Sequence, residues 1–341
     1  MALLPNQIQL MRFLKSEAGA SILWLAASLF AAALLMPYLY DAGKTLAHNA
    51  ETTDYPSIIE GIAASAGRAK PDRFFSRALL ISALALLPAL IRRVKKIPIR
   101  EGADRFALRK LSWRQRLTHL ASGLLAGALC LGALAVVLDV TGAAVPKDVS
   151  LSAGKFFSKA FLPSLGAGVI EELVFRGLLL GLWLRACSLR TACVGSALLF
   201  AFMHFLSPPD GMEIADPRSW NAGFEILSST LGHFTNPAFF VTEFATLTLL
   251  GLLLAYCRTR TLSLWLPIGI HAGLVFALKT FSMTRTIDPE SPLNPWFIGG
   301  DLKSGILPLV ALGVCFAACI AITRTLNRKS GETTPSHPSG S

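Results

Sequence analysis

Charge is scarce in this chain. Of its 341 residues 16% are Asp, Glu, Lys or Arg, against 53% hydrophobic. A water-soluble globule of that composition would have to bury far more apolar surface than usual, so lipid is the better solvent. Paired cysteines are missing as well. Cys130, Cys187, Cys193, Cys257, Cys315 and Cys319 form no Cys-x-x-Cys and no extracellular pairing pattern. That excludes a disulfide framework and leaves six small apolar fillers. There is no internal repeat, no His-Glu-x-x-His zinc-protease box, and no stretch between apolar runs long enough to build a soluble core. The C-terminus carries no Cys-a-a-X box, so prenylation of the chain itself is not expected there.

What is present is a series of apolar runs close to the length that crosses a hydrocarbon core of about 30 Å. Eight candidate spans fall at roughly 20–40, 75–92, 118–140, 158–184, 190–206, 237–257, 262–280 and 304–325. The expected fold class is therefore all-α, a polytopic transmembrane helical bundle of about eight spans. The first run follows Arg12 and Lys15 but is too long for a cleaved secretory signal, and reads as an uncleaved anchor. Residues 1–157 are expected to form N-terminal transmembrane helices with a basic cytoplasmic loop, 158–325 a membrane core, and 326–341, rich in Ser, Thr, Pro and Gly towards its end, a disordered tail.

The net charge of +11 does not point to nucleic acid, because the basic residues sit in the connections between spans and not on one continuous face. Arg92, Arg93, Lys95, Lys96, Arg100, Arg105, Arg109, Lys110, Arg114 and Arg116 crowd the second connection, which the positive-inside rule places in the cytoplasm. An even number of spans then puts both termini and the loops 185–190 and 258–261 on the cytoplasmic side. The loop 207–236, where Arg218 is the one Arg or Lys, faces outward. The basic loop also offers a surface to anionic lipid head groups.

The Gly-x-x-x-Gly patterns Gly123 to Gly127 and Gly177 to Gly181 suit close helix approach. More telling are the ionisable residues deep in spans, since each is costly there and implies a partner or a function. They are Glu171, Glu172 and Arg176 in the fourth span, His204 near the end of the fifth, and His271 in the middle of the seventh. Glu172 and Arg176 are four residues apart on one helix face and should neutralise each other. Glu171 projects about 100° away, so Arg176 cannot serve both acids. A carboxylate in a poorly hydrated site becomes a better proton acceptor, which suits a general base acting on water. A buried ion network that only fixes helix packing is the competing reading of the triplet. Glu243, near the outer end of the sixth span, reads as a satisfied or snorkelling acid.

Three motifs carry a resemblance: Glu171-Glu172-Leu-Val-Phe-Arg176, then Phe200-Ala-Phe-Met-His204, then Leu266-Pro-Ile-Gly-Ile-His271-Ala-Gly. In that order, on separate spans over roughly residues 160 to 280, they resemble the CPBP family of intramembrane glutamic endopeptidases, which includes the CAAX prenyl proteases and bacteriocin-processing enzymes. The resemblance implies an eight-helix membrane peptidase in which Glu171 and His204 activate water and His271 helps hold the oxyanion. Arg176 would steady the carboxylate pair, Glu171 with Glu172. It also implies a membrane-associated protein or peptide substrate and a multi-pass protein of a bacterial inner membrane. The family pattern usually places Asn or a similar polar residue four positions after the third-motif His, and here that position is Val275.

No cofactor is expected, because Glu and His generate the nucleophile directly. The alternative is a zinc ion held by Glu171, His204 and His271 with an open position for water. Two other functions compete with the peptidase. One is a non-enzymatic immunity or scaffold protein of the same family, which Val275 favours. The other is a proton-coupled transporter, which the lack of paired broken helices or a repeat disfavours.

Overall fold

The computed structural model describes residues 16–97, 101–149, 152–206, 214–235, 243–294 and 296–331. In chain order its helices are α1 (Glu17–Asn49), α2 (Ser57–Arg68), α3 (Pro71–Val94), α4 (Trp113–Val140), α5 (Ala153–Phe156), α6 (Leu162–Glu172), α7 (Leu180–Ala186), α8 (Leu189–His204), α9 (Ala222–Gly232), α10 (Ala245–Thr261), α11 (Trp265–Thr284) and α12 (Ile306–Gly331). Wider π turns, Phe157–Phe161 and Leu173–Leu179, join α5 to α6 and α6 to α7. The backbone stays in the right-handed helical region at each junction, so 153–186 forms one helical rod. The only strands among the described residues are β1 (Ala144–Pro146) and β2 (Arg285–Ile287), an antiparallel pair.

Each expected span falls on helix over most of its length: residues 205–206, 262–264 and 304–305 lie just beyond helix ends, 237–242 of the sixth lie outside the described residues, and the fold is an all-α membrane bundle. Five helices, α1, α3, α4, α11 and α12, are long and apolar enough to cross a bilayer. The rod at 153–186 is interrupted by its π turns, and α8 and α10 are shorter, at 16 and 17 residues. Two connections are more ordered than expected: α2 lies between the first two spans and α9 within 207–236. At the other end α12 continues to Gly331, so residues 326–331, expected to open a disordered tail, are helical. Residues 332–341 lie outside the described residues.

The chain divides into two compact units. The first comprises 1–99 and 202–236. Its core of Ala32, Ala33, Met36, Phe74, Phe75, Ala78 and Ile226 joins α1, α3 and α9. The Trp24 Nε1 donates to the Ala83 carbonyl at 3.1 Å, and Arg218 pairs with Asp41 at 2.7 Å.

The second unit comprises 100–201 and 237–341, so α4 groups with the later helices. The physical reason is a mutual glycine contact. A Cβ on Gly123 would stand 2.5 Å from the Leu266 carbonyl oxygen, and one on Gly127 would strike that of Ile270. In return, Gly269 and Gly273 of α11 meet the carbonyls of Leu120 and Leu124. Four glycines thus let two backbones touch where any side chain would hold them apart. The other pattern behaves differently: Gly177 faces the Leu264 side chain at 3.4 Å, and Gly181 faces open space.

Candidate active site

Helix α11 is the most enclosed of the long apolar helices, with 56% of its apolar window buried. It carries His271 in its interior. The rod at 153–186 lies against it through Gly168, whose missing Cβ would sit 3.0 Å from the Ala272 amide and 3.1 Å from the Ile268 carbonyl oxygen. That approach sets the next turn of α6, with Glu171 and Glu172, directly beside His271. Further along, Gly251 of α10 allows Ala197 of α8 equally close: a methyl added at Gly251 would stand 2.8 Å from the Ala197 Cα.

Glu172 is fully enclosed, and one of its oxygens does double service. Oε1 accepts from Arg176 Nη1 at 2.8 Å and lies 2.9 Å from His271 Nδ1. Its other oxygen is buried with no hydrogen-bond partner among the described residues. The second Arg176 nitrogen, Nη2, donates to the Gly251 carbonyl at 3.3 Å. The guanidinium also lies 4.2 Å from the Phe200 ring centre, a cation–π contact in a desolvated place. Phe200 packs edge-on to both Phe175 (5.0 Å) and His271 (6.0 Å).

An ionised carboxylate can only accept, so His271 Nδ1 donates to Glu172, and Nε2 is the ring nitrogen left for chemistry. It faces Glu171, whose Oε2 is 3.8 Å away. That separation exceeds a direct hydrogen bond. Glu171 is 31% exposed, while Glu172, Arg176 and His271 are at or below 4%. One acid of the pair is therefore sealed in a network and the other is reachable.

The structure brings Glu171, Glu172, Arg176 and His271 together within the second unit. His204 is the last residue of α8, one turn beyond Phe200, half-buried and grouped with the first unit. Val275 follows His271 by one turn of α11 and is half-buried. Glu243 is half-buried just ahead of α10. Among the described residues no three His, Cys, Asp or Glu side chains are grouped so as to hold a metal ion.

Residues 153–277 match the family model described as type II CAAX prenyl endopeptidase, Rce1-like. The match covers little more than a third of the chain. The matched residues run from the first of α5 to the second turn past His271, and so contain every motif that carried the resemblance. No curated protein and no solved structure matches the chain. The matched family is one of peptidases, and this chain, with its long apolar helices, is an integral membrane protein. Sequence reasoning missed three parts of its buried network. The Gly251 carbonyl and the Phe200 ring complete the Arg176 site, and Glu172 reaches His271 as well as Arg176. Only Phe200 had a visible signal, its place in the second motif.

Proposed function

We propose that this protein is an endopeptidase that hydrolyses a peptide bond of a membrane-associated protein or peptide, with Glu171 as general base. The observation that carries this reading is the Glu171 side chain, 31% exposed in a cluster otherwise closed to solvent, with its buried oxygen Oε2 3.8 Å from Nε2 of His271. Glu171 takes a proton from water as the water oxygen bonds to the substrate carbonyl carbon. The carbonyl oxygen gains the electron pair and is held by Nε2–H of His271, whose ring carries a proton on both nitrogens in this scheme, the other N–H being given to Glu172. Glu171 then gives its proton to the leaving amine nitrogen as the C–N bond breaks. Glu172 and Arg176 touch no reacting atom in this scheme; they fix the ring and its charge. His204 serves as the second water-activating group on the strength of its motif alone.

The reaction needs no metal. Nδ1 of His271 is engaged by Glu172, and Glu172 Oε1 by two donors, so the cluster leaves Nε2, Glu171 and the buried Oε2 of Glu172 outside these contacts. A zinc ion, were it the group that activates water, would have to draw on His204 or on that buried oxygen for a third protein ligand.

The test is cleavage of membrane-anchored peptides by purified wild type and Glu171→Gln in detergent, with and without a zinc chelator. Turnover that disappears in the variant alone supports a glutamate-dependent peptidase. Full activity in Glu171→Gln removes the assignment, and loss on chelation moves it to a metal mechanism. A second reading, a non-enzymatic immunity or scaffold protein, is favoured by Val275, which supplies no donor where the family pattern has one. It predicts no cleavage by either protein and an unchanged partner-binding profile in Glu171→Gln.

A further inference from the structure

A cavity of about 480 Å³ opens on the flank of the second unit, and none of its lining residues belongs to the carboxylate–histidine cluster. Its lining changes character along its length. At one end stand Arg190, in the first turn of α8, and Arg260, in the last turn of α10, both exposed. Tyr256 lies beneath Arg260, with the guanidinium 5.4 Å from the ring centre. At the other end the walls are Val194, Leu252 and Phe316, and Val194 is 47% exposed to the surroundings of the bundle. The residues that line the cavity include no carboxylate.

Two cations without a lining acid call for an anion, and apolar walls directly below call for a hydrocarbon chain. A free phosphate satisfies only the first demand and a neutral lipid only the second. The cavity also lies at a basic end of the bundle. There the Arg258 Nη1 donates to the Phe106 carbonyl at 2.6 Å, the Arg109 amide to Leu262 O at 2.8 Å, and Asn327 to Arg260 O at 3.0 Å. These contacts gather the basic connection before α4, the end of α10 and the last turns of α12 at one level, where a lipid head group would lie. Basic pockets between transmembrane helices at that level suit anionic head groups.

We propose that this cavity binds one anionic glycerophospholipid, its phosphodiester between Arg190 and Arg260 and an acyl chain along Val194, Leu252 and Phe316. The site is independent of the hydrolytic one. A contrasting basic pocket in the first unit, lined by Ser65, Arg68, Lys70, Asp72, Arg73 and Arg77, has no such apolar floor and serves as the control.

The experiment measures phosphatidylglycerol retained relative to phosphatidylcholine when the purified full chain is exchanged through mixed micelles of the two. One Arg near an anionic lipid surface changes binding about fivefold, so the preference should approach thirtyfold, on the order of two such terms. The double variant Arg190→Gln with Arg260→Gln should lose it, and Val194→Trp should block retention of either lipid at this site. Arg68→Gln with Arg73→Gln should leave the preference intact. Equal retention of the two lipids by wild type overturns the proposal, as does loss in the Arg68 and Arg73 variant instead. Displacement of the lipid by glycerol 3-phosphate at equal concentration overturns it too, because the site would then read phosphate alone.

Discussion

A single oxygen, Glu172 Oε1, receives both Arg176 and His271, which makes the second glutamate of the motif the organiser of the cluster. Removing the guanidinium leaves a buried carboxylate with one donor fewer, and breaking a buried pair costs about 3–5 kcal/mol. Arg176→Met should therefore lower thermal stability in detergent sharply. Combining it with Glu172→Gln should restore about half of the loss or more, since no uncompensated charge remains; a double variant no more stable than Arg176→Met would show that the pair is not the source. Arg176→Lys should also fail, because a point charge cannot reach Glu172 and the Gly251 carbonyl while stacking on Phe200. The Glu172–Arg176 contact was legible in the sequence because both residues lie one helical turn apart. The His271 contact was not, because it depends on how two helices separated by 99 positions are set against each other.

Val275 offers the opposite kind of change. If His271 holds the oxyanion alone, a polar side chain one turn on adds a donor, and one such donor is worth about 10² to 10³ in rate. Val275→Asn should raise kcat for a membrane-anchored peptide by one to two powers of ten, roughly, with little effect on KM. An unchanged or lower kcat would place Val275 outside the reach of the reacting carbonyl.

At the scale of elements, the cluster depends on glycines that hold nothing themselves. Gly123 and Gly127 seat α4 on α11, and Gly168 seats α6 on its other side. Gly127→Leu would drive a side chain into the Ile270 carbonyl, one position from His271. Overpacking of this kind costs about 1–3 kcal/mol, and here it should also displace His271. The expected result is a folded but inactive protein with lowered thermal stability. Gly181→Leu, which faces open space, is the matched control and should retain activity. The sequence showed the Gly-x-x-x-Gly patterns of Gly127 and Gly181 but not which of them carries a contact. Gly269 and Gly273 repeat the same spacing, but their surroundings read as a histidine motif and not as an interface. Nor were the π turns visible, since π and α segments share the same apolar composition. One of them begins at Leu173, immediately after Glu172, a place where such turns are frequent near functional residues.

For the molecule as a whole, the contacts within the second unit fix the relative directions of its helices. Helix α4 runs parallel to α11: Gly123 meets Leu266, Gly127 meets Leu274, and β1 pairs with β2 where both helices have ended. The rod at 153–186 runs against α11, with Phe156 at Phe276, Glu172 at His271 and Gly177 at Leu264. Helix α10 runs with α12, Tyr256 lying 5.3 Å from Phe316 and Arg260 near Asn327, and both run against α4. This alternation is what six consecutive crossings require. It agrees with the order of spans legible in the hydropathy, although three of the six would fail a strict test of length or continuity. Alternation alone leaves two orientations, and the positive-inside rule chooses between them by placing the end that holds Arg109, Lys110 and Arg260 in the cytoplasm. With a rise of about 1.5 Å per residue, His271 then lies about 9 Å along α11 from its cytoplasmic start and about 20 Å from Thr284. Hydrolysis would take place in the cytoplasmic half of the bilayer. In a background with the six cysteines replaced, Lys110→Cys should resist a membrane-impermeant maleimide applied to intact cells, and Glu290→Cys should react. The reverse pattern would invert the protein and move the cluster to the outer half, where a substrate would have to reach Glu171 from the opposite side.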